Sequence, residues 1–323
     1  MTVRQEVDRF RREQRQAITQ TTAGVLDVWR RVDRDDVISS WGRLLPEAFA
    51  LVEAGQQTAA RSGAGYAASV IAAQTVPQPV GQVQSASLSG VASDGRPLEN
   101  LLSLPAHQTV GRIGNGQPAG EALTSGRRQL GRLVVTQVAD AGRQAASVGM
   151  VQDRSVSGYR RQISPPACAR CAVLAGKWFR WNAGFQRHPS CECVHVPAVG
   201  PKADAAGLES FDPSAYFESL DAVQQDRIFT KAGAEAIRDG ADMAQVVNAR
   251  RGMRSTSAYG QKVSTTLVGT RSPGVRNTSF LRAMRAETGP QTNVRLMPEQ
   301  IYRDANGNRE LAIRLLGRFG YLG

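Results

Sequence analysis

All four cysteines of the chain fall between residues 168 and 193, as Cys168-Ala-Arg-Cys171, nineteen intervening residues, and Cys191-Glu-Cys193. His188 precedes the second pair and His195 follows it, so two of the three histidines share the window. A Cys-x-x-Cys pair folds into a knuckle that turns both sulfurs toward one point, and a second pair brought back by a loop completes a tetrahedron around Zn²⁺. Cys191 and Cys193 alternate on an extended strand and so face one side. Cys168, Cys171, His188, Cys191 and Cys193 are five candidates for four positions, with His195 a weaker sixth. Paired disulfides and buried thiols without metal are the alternatives. The first residues lack the apolar core of an export signal, so folding is expected in a reducing cytosol, where structural disulfides are rare and zinc is favoured. A structural zinc is worth roughly 10–16 kcal/mol in small peptides, enough to hold an irregular loop in place. Trp178 and Trp181 inside that loop are expected to pack over the knuckle.

The wider pattern is Cys168 and Cys171, then Leu174 and Gly176, an aromatic strand, and His188-Pro189-x-Cys191-x-Cys193 followed by Pro197. It resembles the phage Mu F-like (MuF-like) minor head proteins. The motif covers about thirty residues, and the preceding helix with the strand-like Tyr159–Ile163 extends the likeness to roughly 95–200. The resemblance implies a minor capsid protein of the virion, made in the host cytoplasm and associated with the portal protein and other head proteins during assembly.

The elements that must position this window point to an α+β chain. Residues 1–75 form a mainly helical N-terminal region, in which Val3, Val7 and Phe10, then Ile18, Val25, Leu26 and Trp29, recur at helical spacing. Asp36 suits the N-cap of a second helix carrying Trp41, and Pro46 suits the start of a further segment. Both tryptophans are read as core. Residues 76–118 read as an irregular linker or binding loop with a short helix over Leu98–Leu104, and His107 as a surface residue. Residues 119–200 are expected to form a small α+β core with the zinc knuckle, headed by a helix over Glu121–Val148. Gly126, Gly131 and Gly142 weaken that helix unless they admit a close neighbour. Residues 201–323 form a helical and basic C-terminal region, with helices over 219–229, 230–239, 298–304 and 309–319.

Charge separates these regions. Net charge is +12, distributed as +8 over 1–199, −5 over 200–244 and +9 over 245–323. No acidic residue lies between Asp242 and Glu287, whereas Arg250, Arg251, Arg254, Lys262, Arg271, Arg276, Arg282 and Arg285 all do. This basic arm, 243–286, is expected to meet a polyanion, with non-specific double-stranded DNA leading and a solvated loop as the alternative. No apolar run reaches the length of a membrane span. No catalytic residues are assigned. A histidine-based triad has only His107 outside the cysteine window, a Gly-x-Ser-x-Gly elbow is lacking, and no histidine follows residue 195 to complete a His-Asn-His nuclease. A head-maturation enzyme, a capsid protease before a nuclease, is the second reading.

Overall fold

The computed structural model describes residues 1–163, 167–181, 193–199, 211–258, 261–268 and 295–322. The chain is α+β, mostly helical with small antiparallel sheets. It divides into two compact units, Met1–Gln162 with Gly176–Ser210, and Ile163–Ala175 with Phe211–Gly323.

The first unit is built on four helices, α1 (Val3–Trp29), α2 (Val37–Ala72), α3 (Leu98–Gly114) and α4 (Ala119–Val151). A reciprocal capping box of Thr2 and Gln5 starts α1, and the Asp36 carboxylate caps α2 by accepting from the Ser39 amide. Trp29 and Trp41 meet edge to face at 4.9 Å inside the core, and each indole N–H donates to a carbonyl, Leu123 at 3.2 Å and Leu102 at 3.0 Å. Burying an indole with its donor satisfied supplies both apolar area and orientation.

The glycines of α4 are where helices approach closely. A Cβ at Gly63 of α2 would lie 2.0 Å from the Gly142 carbonyl oxygen, and one at Gly126 would lie 2.3 Å from Thr109 Oγ1 and 2.8 Å from the Trp29 ring. The propensity lost at these positions is exchanged for backbone-to-backbone packing, whereas at Gly131 the nearest atoms are at ordinary contact distance.

Two expectations about proline are corrected. Pro46 does not start a helix, because α2 runs through it, and Pro105 does not end one, because α3 continues to Gly114. Pro46 and the residue four before it, Gly42, are both exposed, so the carbonyl freed by the missing N–H faces water rather than the core. His107 therefore stands exposed on a helix and not in a loop. The connection before α3 is also pinned rather than loose. Buried Gln56 of α2 accepts from the Gly90 amide and donates to the Val91 carbonyl, Gln137 of α4 accepts from the Ser93 amide, and the Asp153 carboxylate accepts from the Gln78 amide. Three buried polar side chains thus satisfy loop backbone that would otherwise need water.

Against these helices lies a three-stranded antiparallel sheet in the order β2 (Trp178–Arg180), β1 (Val156–Gln162), β3 (Val194–Val199). Val194 and Val196 join the cluster of Val3, Val7, Phe10, Tyr66 and Val70. The Tyr66 ring stacks on Phe10 at 4.4 Å and its hydroxyl donates to the His195 carbonyl at 2.8 Å, tying α2 to β3.

The second unit holds the short helices α5 (Ala169–Leu174), α6 (Pro213–Glu218), α7 (Ala222–Phe229), α8 (Lys231–Arg238) and α9 (Met243–Ala249). A β4 (Met253–Ala258), β5 (Gln261–Thr266), β6 (Arg295–Leu296) sheet follows, then α10 (Pro298–Ala305) and α11 (Arg309–Arg318). Thr230 caps α8 as expected, although with φ of 69°, a region β-branched residues rarely enter. Gly240 follows α8 with φ of 94°. The core gathers Ala236, Val246, Leu296, Met297, Ile301, Leu316, Phe319 and Tyr321. Arg295 is fully buried within it: its guanidinium donates to the side chain and carbonyl of Gln245 and lies 4.1 Å from the centre of the Tyr321 ring. Burial holds this guanidinium below its usual range and pushes the Tyr321 phenol, whose hydroxyl donates to the Leu296 carbonyl at 2.9 Å, up to about 12 against the opposing pull of Arg295.

Candidate functional site

Cys168 and Cys171 stand about one turn apart at the start of α5. Cys168 is the N-cap of α5, and its sulfur accepts from the Cys171 amide at 3.4 Å. Tyr216 of α6 holds the preceding residue from both sides, its hydroxyl accepting from the Ala167 amide at 2.8 Å and donating to the Ala167 carbonyl at 3.0 Å. α5 packs against α6 and α9, so this pair belongs to the second unit.

Cys193 is buried at the start of β3 in the first unit. Burial draws the Arg11 guanidinium below its usual range, and the neighbouring Asp8 carboxylate offsets part of that effect. His195 stacks on Tyr159 at 4.2 Å, and Tyr159 in turn stacks on Phe179 at 5.3 Å, so the weaker sixth metal candidate is a packed ring of the sheet. His188 and Cys191 lie outside the described residues. Among the described residues no group of three or more His, Cys, Asp or Glu is placed to hold a metal ion. The Cys-x-x-Cys pair, with an amide N–H on its first sulfur, has the donor chemistry of half a thiolate metal site.

Trp178 and Trp181 do not pack away as expected, since they are 45% and 44% exposed. Trp178 instead lies over Gly158 of β1, where a Cβ would fall 2.6 Å from indole Cε2 and Cζ2. The reason is local: Gly158 offers bare backbone two residues along the strand from Arg160, the cross-strand partner of Trp178, and so on the same face.

Half of the basic arm is described. β4 and β5 form a hairpin in which Arg254 pairs with Thr265 and Lys262 with Ser257. This register puts Arg254 and Lys262 on opposite faces, and both are exposed. Arg250 is engaged within the unit, bonding to the Glu299 carboxylate and to Thr230 Oγ1, so this cation is spent on a partner more than forty residues away in sequence. Arg251 is exposed at the foot of the hairpin. Arg271, Arg276, Arg282 and Arg285 lie outside the described residues. No helix among the described residues is long and apolar enough to cross a membrane.

A helical first unit closed by a small antiparallel sheet, and a second unit with an exposed basic hairpin, define an α+β protein. Residues 1–223 match the family described as VG15 protein, and the chain belongs to that family. No curated protein and no solved structure matches the chain.

Proposed function

We propose that this phage protein is a minor capsid component of the MuF-like kind, which associates with the portal and other head proteins during head assembly and contacts packaged double-stranded DNA. The observation that carries the reading is the β4–β5 hairpin, exposed Arg254 on one face and exposed Lys262 on the other, in a stretch without a carboxylate between Asp242 and Glu287. A two-stranded ribbon fits a major groove about 12 Å wide, and cations on both faces suit the phosphate walls on either side. Such contacts read phosphate and not sequence. In this reading Cys168 and Cys171 supply two thiolates to a structural Zn²⁺, with the remaining ligands drawn from His188, Cys191 and Cys193; the metal serves as a cross-link in place of a larger core.

The test is duplex binding by the full chain across a range of salt concentrations. Replacing Arg254 and Lys262 together by Gln should flatten the log–log salt slope by about 1.8, at 0.9 per lost phosphate contact. Arg250→Gln should leave the slope unchanged, because that cation already serves Glu299. Binding that ignores salt, or a double variant with the parental slope, would remove DNA from the reading. Density for the chain at the portal vertex of assembled heads tests the remainder.

A further inference from the structure

We propose that the β2 edge of the first unit's sheet is a platform for unpaired nucleic-acid bases, with Trp178 as the stacking surface. Four observations converge there. One side of the Trp178 indole is seated over Gly158, which only a residue without a Cβ allows, while the ring keeps 45% exposure. The ring is thereby fixed on one side and open on the other.

Arg160 stands directly across from Trp178 and Arg180 directly across from Gly158, so strand alternation puts both guanidiniums on the face that carries the indole. Trp181 lies just past the strand, equally exposed, and its amide donates to the Ser157 carbonyl at 3.3 Å, which prolongs the pairing and fixes its backbone. The surrounding sequence is one-signed: no carboxylate occurs between Asp153 and Glu192, a stretch containing Arg154, Arg160, Lys177 and Arg180.

The combination selects the ligand. A duplex buries its base faces within its own stack, and an acidic peptide would use the cations and leave the indoles in water. A strand with exposed bases uses both, its phosphates on the guanidiniums and its bases on the rings, in the manner of sequence-tolerant single-strand binders. This surface lies in a different unit from the β4–β5 hairpin and stands or falls separately from it.

The chain itself provides the readout. Trp29 and Trp41 are buried, so quenching of tryptophan fluorescence by a ligand reports Trp178 and Trp181. The full chain is titrated with a short oligothymidylate, with an abasic oligomer of equal phosphate count, with duplex DNA and with polyglutamate. Oligothymidylate should quench the emission and bind on the order of tenfold more tightly than the abasic oligomer, a ratio within the range for base–aromatic stacking. Trp181→Ala and Trp178→Leu should each shrink that ratio and leave abasic binding unchanged, with the blue emission of Trp29 and Trp41 showing that the fold is intact. Equal affinity for the two oligomers, or parental ratios in both variants, overturns the proposal. Equal quenching by polyglutamate overturns it in favour of an acidic protein partner, and equal quenching by duplex in favour of a simple phosphate contact.

Discussion

Gly63 and Gly65 both lie within α2, two residues apart, and alanine at each should change stability in opposite directions. Both occupy helical backbone, so alanine removes the same backbone freedom and each substitution starts with a gain of about 0.8–1 kcal/mol. Gly65 is exposed, and a Cβ there meets nothing within 4 Å, so Gly65→Ala should keep that gain. At Gly63 the new methyl would lie 2.0 Å from the Gly142 carbonyl oxygen and 3.1 Å from the Ala146 amide nitrogen. Neither atom belongs to a flexible side chain, so α2 and α4 must separate, and overpacking of this kind costs about 1–3 kcal/mol. The two variants should therefore differ by roughly 1–3 kcal/mol, with Gly65→Ala above the parent and Gly63→Ala below it once the overpacking exceeds the propensity gain. Tryptophan emission is the appropriate probe, because Trp29, Trp41, Trp178 and Trp181 all lie in the first unit, so its urea transition is followed apart from the second. A Gly63→Ala midpoint equal to that of Gly65→Ala would refute the close α2–α4 approach on which the helical core is drawn.

Metal analysis of purified chain should find about one zinc, and the double replacement of Cys168 and Cys171 by Ser should yield protease-sensitive product; disulfide-linked peptides in metal-free protein would sink that expectation. Alkaline pH should destabilise the second unit. The Tyr321 phenol is raised from 10 to about 12 by burial, so the unfolded chain loses its proton first, and stability that is intact below pH 10 falls through this window by roughly 1.4 kcal/mol per pH unit. Tyr66 is shifted in the same direction in the first unit, and Tyr66→Phe should reduce the pH dependence there, as followed by tryptophan emission. Arg250→Gln should lower stability by no more than about 1 kcal/mol, since the Glu299 pair is partly exposed, and a loss of several would mean that this pair organises the hairpin.

Much of the local structure was legible in sequence because it is decided locally. Periodic apolar residues mark α1 and α4, Asp36 and Thr230 cap the helices they precede, and Asn306-Gly307 turns between α10 and α11. The buried positions of Trp29 and Trp41 follow from the same periodicity. What the tertiary structure decided is where local rules are overruled or left open. Pro46 and Pro105 punctuate a sequence without ending the helices that run through them, and a connection rich in proline and glycine becomes ordered only because Gln56 of α2, Gln137 of α4 and Asp153 just past α4 reach it. Gly63 and Gly142 look like weaknesses until the two helices are brought together. Likewise, nothing in the sequence around Arg250 or Gly158 says that Arg250 is spent on Glu299, or that Gly158 seats an indole in the open, because partners across strands and between distant helices are chosen by packing, and packing is a property of the folded chain.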